Sequence, residues 1–187
     1  MITIRSDING FYGLNYLMDD NFSLEISSDN EISGEIIKGI ISQVFSGNEI
    51  VYKAYGLPNS IDEIIEDFGG QNYVYHEGDR NKFYMKKYPE IIMQLKDIIA
   101  IDKLLSSWSC AIIEGRFFFI AKPSCGEQIK EYFQNNSYKE RPNMNELWDF
   151  LLCIIENIPD HPNHDSYILT ARKEFHEEIN QLICKFL

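Results

Sequence analysis

The chain has 187 residues, of which 44% are hydrophobic and 13% aromatic. It can therefore bury enough apolar surface to offset the entropy of folding, and a single domain spanning residues 1–187 is expected. With 17 basic and 29 acidic residues the formal net charge is −12, which disfavours direct binding to nucleic acid because the phosphates would be repelled by the average surface. A basic protein is the more favourable partner.

The acidic charge is concentrated in the first half of the chain. Residues 1–80 contain 14 acidic and 4 basic residues, a net charge of −10, whereas residues 81–187 contain 15 acidic and 13 basic residues, a net charge of −2. Such an imbalance is typical of a well-solvated surface that keeps a protein in solution. The alternative is a docking surface for a cationic partner.

The remaining composition predicts a cytoplasmic protein. No segment approaches the roughly 18 consecutive apolar residues that span a membrane, and the first residues lack the charged and apolar regions of a secretory signal. The four cysteines are Cys110, Cys125, Cys153 and Cys184. No two of them form a C-x-x-C motif, so all four are predicted to be reduced thiols in the core.

The first half of the chain alternates strand and helix signals. Alternating apolar and polar residues predict strands over Ile2 to Arg5 and Phe22 to Ile26, with the turn-forming Asp19-Asp20 between them, and a third strand over Glu49 to Tyr55. A helix is predicted from an N-cap at Ser33, because apolar residues recur at helical spacing after it.

A second, short helix is predicted after Leu57-Pro58. Ser60 and Glu63 form a capping box, and Gly69-Gly70 ends the helix. Its solvent face is strongly acidic and carries Asp62, Glu63, Glu66 and Asp67.

The middle of the chain contains two predicted hairpins and a long helix. Residues 71–87 have two tyrosine-rich runs around a turn, and Pro89 opens a helix that extends to Leu105. A central hairpin is predicted at about 108–122, with its turn at Glu114-Gly115. Phe117 to Phe119 are consecutive, so both faces of the sheet must be covered.

Three helices are predicted in the last third. Ser124 and Glu127 cap a helix that runs to Phe133, Asn143 and Glu146 open one that stops before Pro159, and the last carries apolar residues around Ile179. The fold class is therefore α+β: a single domain with a small, mainly antiparallel sheet packed by five or six helices.

No catalytic signature is present. The chain lacks a G-x-S-x-G elbow, a phosphate-binding P-loop and a G-x-G-x-x-G motif, so no cofactor and no enzymatic activity are predicted. One alternative stays open: His161 and His164, with neighbouring carboxylates, could bind zinc in a metal-dependent hydrolase if the fold adds His76 or His176. The same residues are ordinary for a solvated loop between helices.

The stretch from Asn143 to Leu151, NMNELWDFL, is predicted to present a polar ridge. Helical spacing places Asn145, Glu146 and Asp149 on one side while Leu147 faces inward. The stretch resembles the inhibitory helix of barstar, the intracellular inhibitor of a secreted ribonuclease, whose pattern is N-L-D-x-L-W-D-x-L.

The resemblance implies a site for a ribonuclease-like partner. Asp149 falls on the acid that barstar inserts into the enzyme's active site, whereas Asn145 replaces the first acid of the pattern, with Glu146 adjacent. Tyr138 is a loose counterpart of a tyrosine before barstar's helix. The binding residues that follow from this resemblance and the ridge are Tyr138, Asn145, Glu146, Trp148 and Asp149.

A second stretch is similar to the SUKH family, many of whose members are bacterial toxin-immunity proteins. The shared pattern is Leu57-Pro58 followed by apolar residues and Phe68-Gly69-Gly70, although the family's tryptophan-containing sheet is not evident after the glycines. The overall profile also resembles immunity proteins of contact-dependent growth inhibition systems.

These patterns give one functional hypothesis and two alternatives. The hypothesis is a cytoplasmic immunity protein that neutralises a basic, nuclease-like toxin domain by covering its cationic active site, with no membrane or nucleic-acid contact of its own. The barstar-like ridge is the first candidate surface and the acidic Ser60 helix is the second. The alternatives are the metal-dependent hydrolase and a non-catalytic adaptor.

Overall fold

Among the residues described in the computed structural model, eight strands form one sheet. The described residues are 2–6, 19–28, 32–56, 61, 62, 64, 66, 73–76, 90–95, 113–136, 144–161 and 164–187. The strands are β1 (Ile2–Ser6), β2 (Asn21–Ser28), β3 (Ile50–Gly56), β4 (Tyr73–His76), β5 (Glu90–Leu95), β6 (Ile113–Ala121), β7 (Leu151–His161) and β8 (His164–Arg172). Their order is β1-β2-β8-β7-β6-β3-β5-β4, and every pair is antiparallel.

Four helices with defined ends accompany the sheet in the described ranges. They are α1 (Ile32–Gly39), which continues as a π-helical turn (Ile40–Val44), α2 (Gly126–Asn135), α3 (Met144–Trp148) and α4 (His176–Ile183). Residues 61, 62, 64 and 66 are also helical. In the described part of the chain, no helix is long and apolar enough to cross a membrane.

The sheet has a buried core on each face. Because side chains alternate along a strand, Phe118 belongs to one core while its neighbours Phe117 and Phe119 belong to the other. We call the first the α1/α4 face, since α1, the π turn and α4 pack on it, and the second the α2/α3 face. The expectation that both faces around Phe117 to Phe119 are covered is confirmed.

Several elements were predicted correctly. The strands expected at Ile2, Phe22 and Glu49 correspond to β1, β2 and β3, and the helices expected after Ser33 and Ser124 correspond to α1 and α2. Two details differ. Helix α1 begins at Ile32, so Ser33 lies within the helix and is not its N-cap. Ser124 has a positive φ of 64°, and Cys125 is the residue at the N-cap of α2.

The predicted small sheet with five or six packing helices is wrong, because three segments were assigned to the wrong structure. Glu114-Gly115 lies inside strand β6 and is not a hairpin turn, the segment after Pro89 forms strand β5, and the helix opened at Asn143 ends at Trp148. After a turn at Asp149 and Phe150, strand β7 begins at Leu151. These strands have apolar residues on both faces, so their sequences lack the alternation that marks a half-buried strand.

The cysteines do not share one environment. Cys153 is fully buried in β7, and desolvation raises the pKa of its thiol well above the usual range. Cys125 is half-buried and Cys184 is exposed, so the prediction of a core thiol is wrong for Cys184. Cys110 lies outside the described residues.

Cys184 is expected to react with iodoacetamide at pH 8 in the native protein, whereas Cys153 is expected to react at least about tenfold more slowly. The thiolate is the reactive species, and burial both suppresses it and blocks the reagent. Site-resolved mass spectrometry of the alkylated protein measures both rates, and the same reaction in guanidinium chloride is the control in which they should converge. Equal native rates would contradict the buried position of Cys153.

Candidate protein-binding surface

The short helix α3 places the barstar-like residues on two sides. Met144, Leu147 and Trp148 are buried in the core of the α2/α3 face, whereas Asn145, Glu146 and Asp149 are exposed. The exposure predicted for these three residues is therefore confirmed, although Asp149 lies in the turn after the helix and not on it. The apolar side of α3 fixes the helix to the sheet and leaves two carboxylates at the surface.

Trp148 is an anchor of this surface. Only 4% of the residue is exposed, and its indole Nε1 donates to the carboxylate of Asp20 at 3.2 and 3.3 Å. The guanidinium of Arg172 lies 5.2 Å from the centre of the indole ring, a cation–π arrangement. The tryptophan that the resemblance placed among the binding residues thus has little surface left for a partner.

Asp20 adds a carboxylate that the sequence analysis did not single out. It lies in the turn before β2, and its Oδ2 is 3.0 Å from Arg172 Nη1, yet half of its side chain is exposed. Asp20 and Trp148 are 128 residues apart in the chain. In the sequence, the Asp19-Asp20 pair indicated only a turn and gave no sign of a contact with Trp148.

The second predicted acidic set is only partly described. Asp62 and Glu66 are helical and exposed, while Ile61 and Ile64 are buried in the core of the α1/α4 face. Glu63 and Asp67 lie outside the described residues, as does Tyr138 of the first set. The described members are thus surface carboxylates on a helix anchored by isoleucines.

The described residues of the two acidic sets lie on opposite faces of the sheet. The helix of Asp62 and Glu66 packs through Ile61 and Ile64 on the α1/α4 face, whereas α3 packs through Leu147 on the α2/α3 face. A compact partner that covers one face does not reach the other. The two candidate surfaces are therefore treated as alternatives.

A buried ion pair lies in the core of the α2/α3 face. Lys53 Nζ lies 2.8 Å from Glu90 Oε2, and the side chains are 10% and 0% exposed. The ammonium also lies 5.3 to 5.8 Å from the ring centres of Tyr55, Phe117 and Phe133. These charges are enclosed by the protein and are not accessible to a macromolecular partner.

The histidines of the metal hypothesis lie at the end of a β-hairpin. His161 of β7 and His164 of β8 are paired in register at the ends of these strands. The prediction that these histidines lie between two helices is therefore wrong. The side chains of His161, His164 and His76 lie outside the described part of the structure, so the metal hypothesis stays a prediction. Among the side chains that are described, no group of three or more His, Cys, Asp or Glu could hold a metal ion.

Comparisons of the chain with protein-family models, with curated proteins and with solved structures found no match. The resemblances to barstar and to the SUKH family therefore remain predictions from short stretches of sequence. The structure changes one premise of the first, because the helix of the barstar-like stretch covers only Met144–Trp148, and Leu151 begins a strand.

Proposed function

We propose that this protein is a non-enzymatic immunity protein, which binds a basic, nuclease-like toxin domain through the acidic surface around α3. The observation that carries the proposal is the exposure of Glu146 and Asp149 on a turn that Trp148 fixes to the sheet. The net charge of −12 supports the same class of partner.

The physical basis is electrostatic complementarity. The active site of a nuclease is cationic because it must hold phosphates, so carboxylates steer the inhibitor toward it and accelerate association. Asp20 extends the acidic surface beside α3, since half of its side chain is exposed next to the indole of Trp148. The inhibitor needs no reactive group of its own, because covering the active site is sufficient.

The direct test is binding to the C-terminal domain of the protein encoded immediately upstream of this gene, with that domain inactivated for purification. We expect tight binding by calorimetry that weakens about tenfold or more between 50 and 500 mM salt. Co-expression in the cytoplasm should also restore growth to cells that produce the active domain.

Two outcomes contradict the proposal. Absence of binding at low salt would remove the partner, and binding to a domain that is harmless to cells would favour the adaptor alternative. Binding with unchanged affinity at high salt would leave the inhibitor role intact but argue against an acidic contact surface.

A further inference from the structure

Helix α3 is too short to be stable by itself. It has five residues, and an isolated helix in water needs about 12–15 residues because nucleation is costly. The last carbonyl groups of a helix also have no partners within it and must find other donors. The turn that carries Asp149 therefore depends on groups from elsewhere in the chain.

Two cationic residues supply most of these donors. Each of the five consecutive carbonyl oxygens from Leu147 to Leu151 accepts a hydrogen bond. Arg172 Nη2 donates to Trp148 O at 2.7 Å and Arg172 Nε to Leu151 O at 2.8 Å, whereas Lys122 Nζ donates to Asp149 O at 2.6 Å and Lys122 N to Phe150 O at 2.9 Å. The fifth, Leu147 O, accepts from Phe150 N at 2.9 Å.

Arg172 joins three segments through one planar group. From the end of β8 its three nitrogens reach the end of α3, the start of β7 and the carboxylate of Asp20 before β2. Arginine suits this position because its guanidinium presents several donors in a fixed plane and also stacks on aromatic rings. A lysine side chain has a single point of donation and does not reproduce the fork.

From this geometry we propose that Arg172 and Lys122 are positioning residues, which hold the turn of Glu146 and Asp149 in the conformation that binds the partner. The inference rests on the proposed function. Arg172 and Lys122 lie beside an acidic surface, and their positive charge opposes the attraction of a basic partner. A positioning role explains why cations are present there. Preorganisation reduces the entropy lost on binding, and the proposal requires this gain to exceed the cost of two local positive charges.

The effect of charge and the effect of positioning predict opposite changes in affinity, and the test uses this difference. Arg172→Gln makes the protein more acidic, so charge alone predicts tighter binding to a basic domain, whereas loss of positioning predicts weaker binding. We expect Arg172→Gln to bind the upstream-encoded domain about tenfold more weakly. Lys185→Gln makes the same charge change at an exposed site beyond α4 and is expected to bind as the unchanged protein does, or slightly more tightly.

Hydrogen exchange in the free protein tests the positioning without any partner. We expect the amide of Phe150 to exchange about tenfold faster in Arg172→Gln, while the amide of Tyr52 in β3 and the Lys185→Gln variant remain unchanged. Arg172→Lys, which keeps the charge, should show most of the same effect. This variant also serves if Arg172→Gln does not fold.

The two readouts separate the two proposals. If the unchanged protein does not bind the domain, the proposed function fails, and the exchange rate of Phe150 still decides the role of Arg172. Unaltered exchange in both Arg172 variants, or tighter binding by Arg172→Gln that matches Lys185→Gln, would overturn the positioning role.

Discussion

Replacing Lys53 with methionine is expected to destabilise the folded protein by about 3–5 kcal/mol, because the change leaves the buried carboxylate of Glu90 without its cation. The two charges are 2.8 Å apart, and the carboxylate side chain is fully buried. Removing one partner of such a pair destabilises the protein by more than the net contribution of the intact pair to stability. The reason is that the remaining charge stays unpaired in a region of low polarity. Urea denaturation gives the free energy of unfolding of each variant.

The surroundings of Lys53 explain why a lysine is tolerated in this core. Its aliphatic chain packs along β3 between Ile92 of β5 and Phe117 of β6, its neighbours in the sheet register. Its ammonium faces aromatic rings as well as Glu90, and a desolvated cation–π contact contributes about 2 kcal/mol. The loss of these contacts adds to the cost of methionine at this position.

Two controls identify the cause of the loss. The double variant Lys53→Met with Glu90→Leu removes both charges and should recover most of the stability, because apolar residues of similar volume replace buried pairs at little cost. Arg5→Met breaks the Arg5–Glu25 contact of 3.6 Å, in which the arginine side chain is 67% exposed, and should cost less than about 1 kcal/mol. If Lys53→Met lowered the free energy of unfolding by less than about 1 kcal/mol, Lys53 and Glu90 would not form a buried ion pair.

Reversing the charges of Glu146 and Asp149 to lysine is expected to weaken binding to the basic partner about 100-fold or more. Reversal removes two favourable contacts and places two cations against a cationic active site. The comparison variant reverses Asp62 and Glu66, which are exposed on the opposite face. Both double variants change the net charge by the same amount, so they alter long-range steering alike.

The difference between the two variants therefore reports direct contact. We expect the Asp62 and Glu66 reversal to lower only the association rate, by about threefold, and to leave the dissociation rate unchanged. Kinetic measurement by surface plasmon resonance separates these rates, and thermal unfolding checks that both variants are folded. If the larger loss falls on Asp62 and Glu66, the partner docks on the α1/α4 face, and equal small losses would exclude both surfaces.

The sequence predicted elements whose apolar residues lie on one side only. β1, β2 and α1 have patterns in which apolar residues recur at the period of a strand or a helix, and this period depends only on local backbone geometry. The exposure of Glu146 and Asp149 beside buried Leu147 followed from the same spacing over a single turn. Local periodicity was sufficient for these features.

Where a strand has apolar residues on both faces, the sequence was ambiguous: β3 was predicted correctly, whereas β5 and β7 were assigned to helices and the start of β6 to a turn. In β5, β6 and β7 neighbouring residues such as Ile91 and Ile92 point into different cores, so the apolar run has no period and is compatible with a helix as well. The number of strands was underestimated for this reason, and the number of helices was overestimated.

The sequence by itself determined the charge of the protein, the apolar side of its one-sided elements and the polar side of α3. Only the tertiary structure decided that the described residues of the two acidic sets lie on opposite faces, and that Asp20, Lys122 and Arg172 converge on the turn of Asp149. Asp20 and Arg172 are 152 residues apart, and the pairing of β2 with β8 brings them together. Strand pairing over such distances depends on the whole sheet, and no local pattern encodes it.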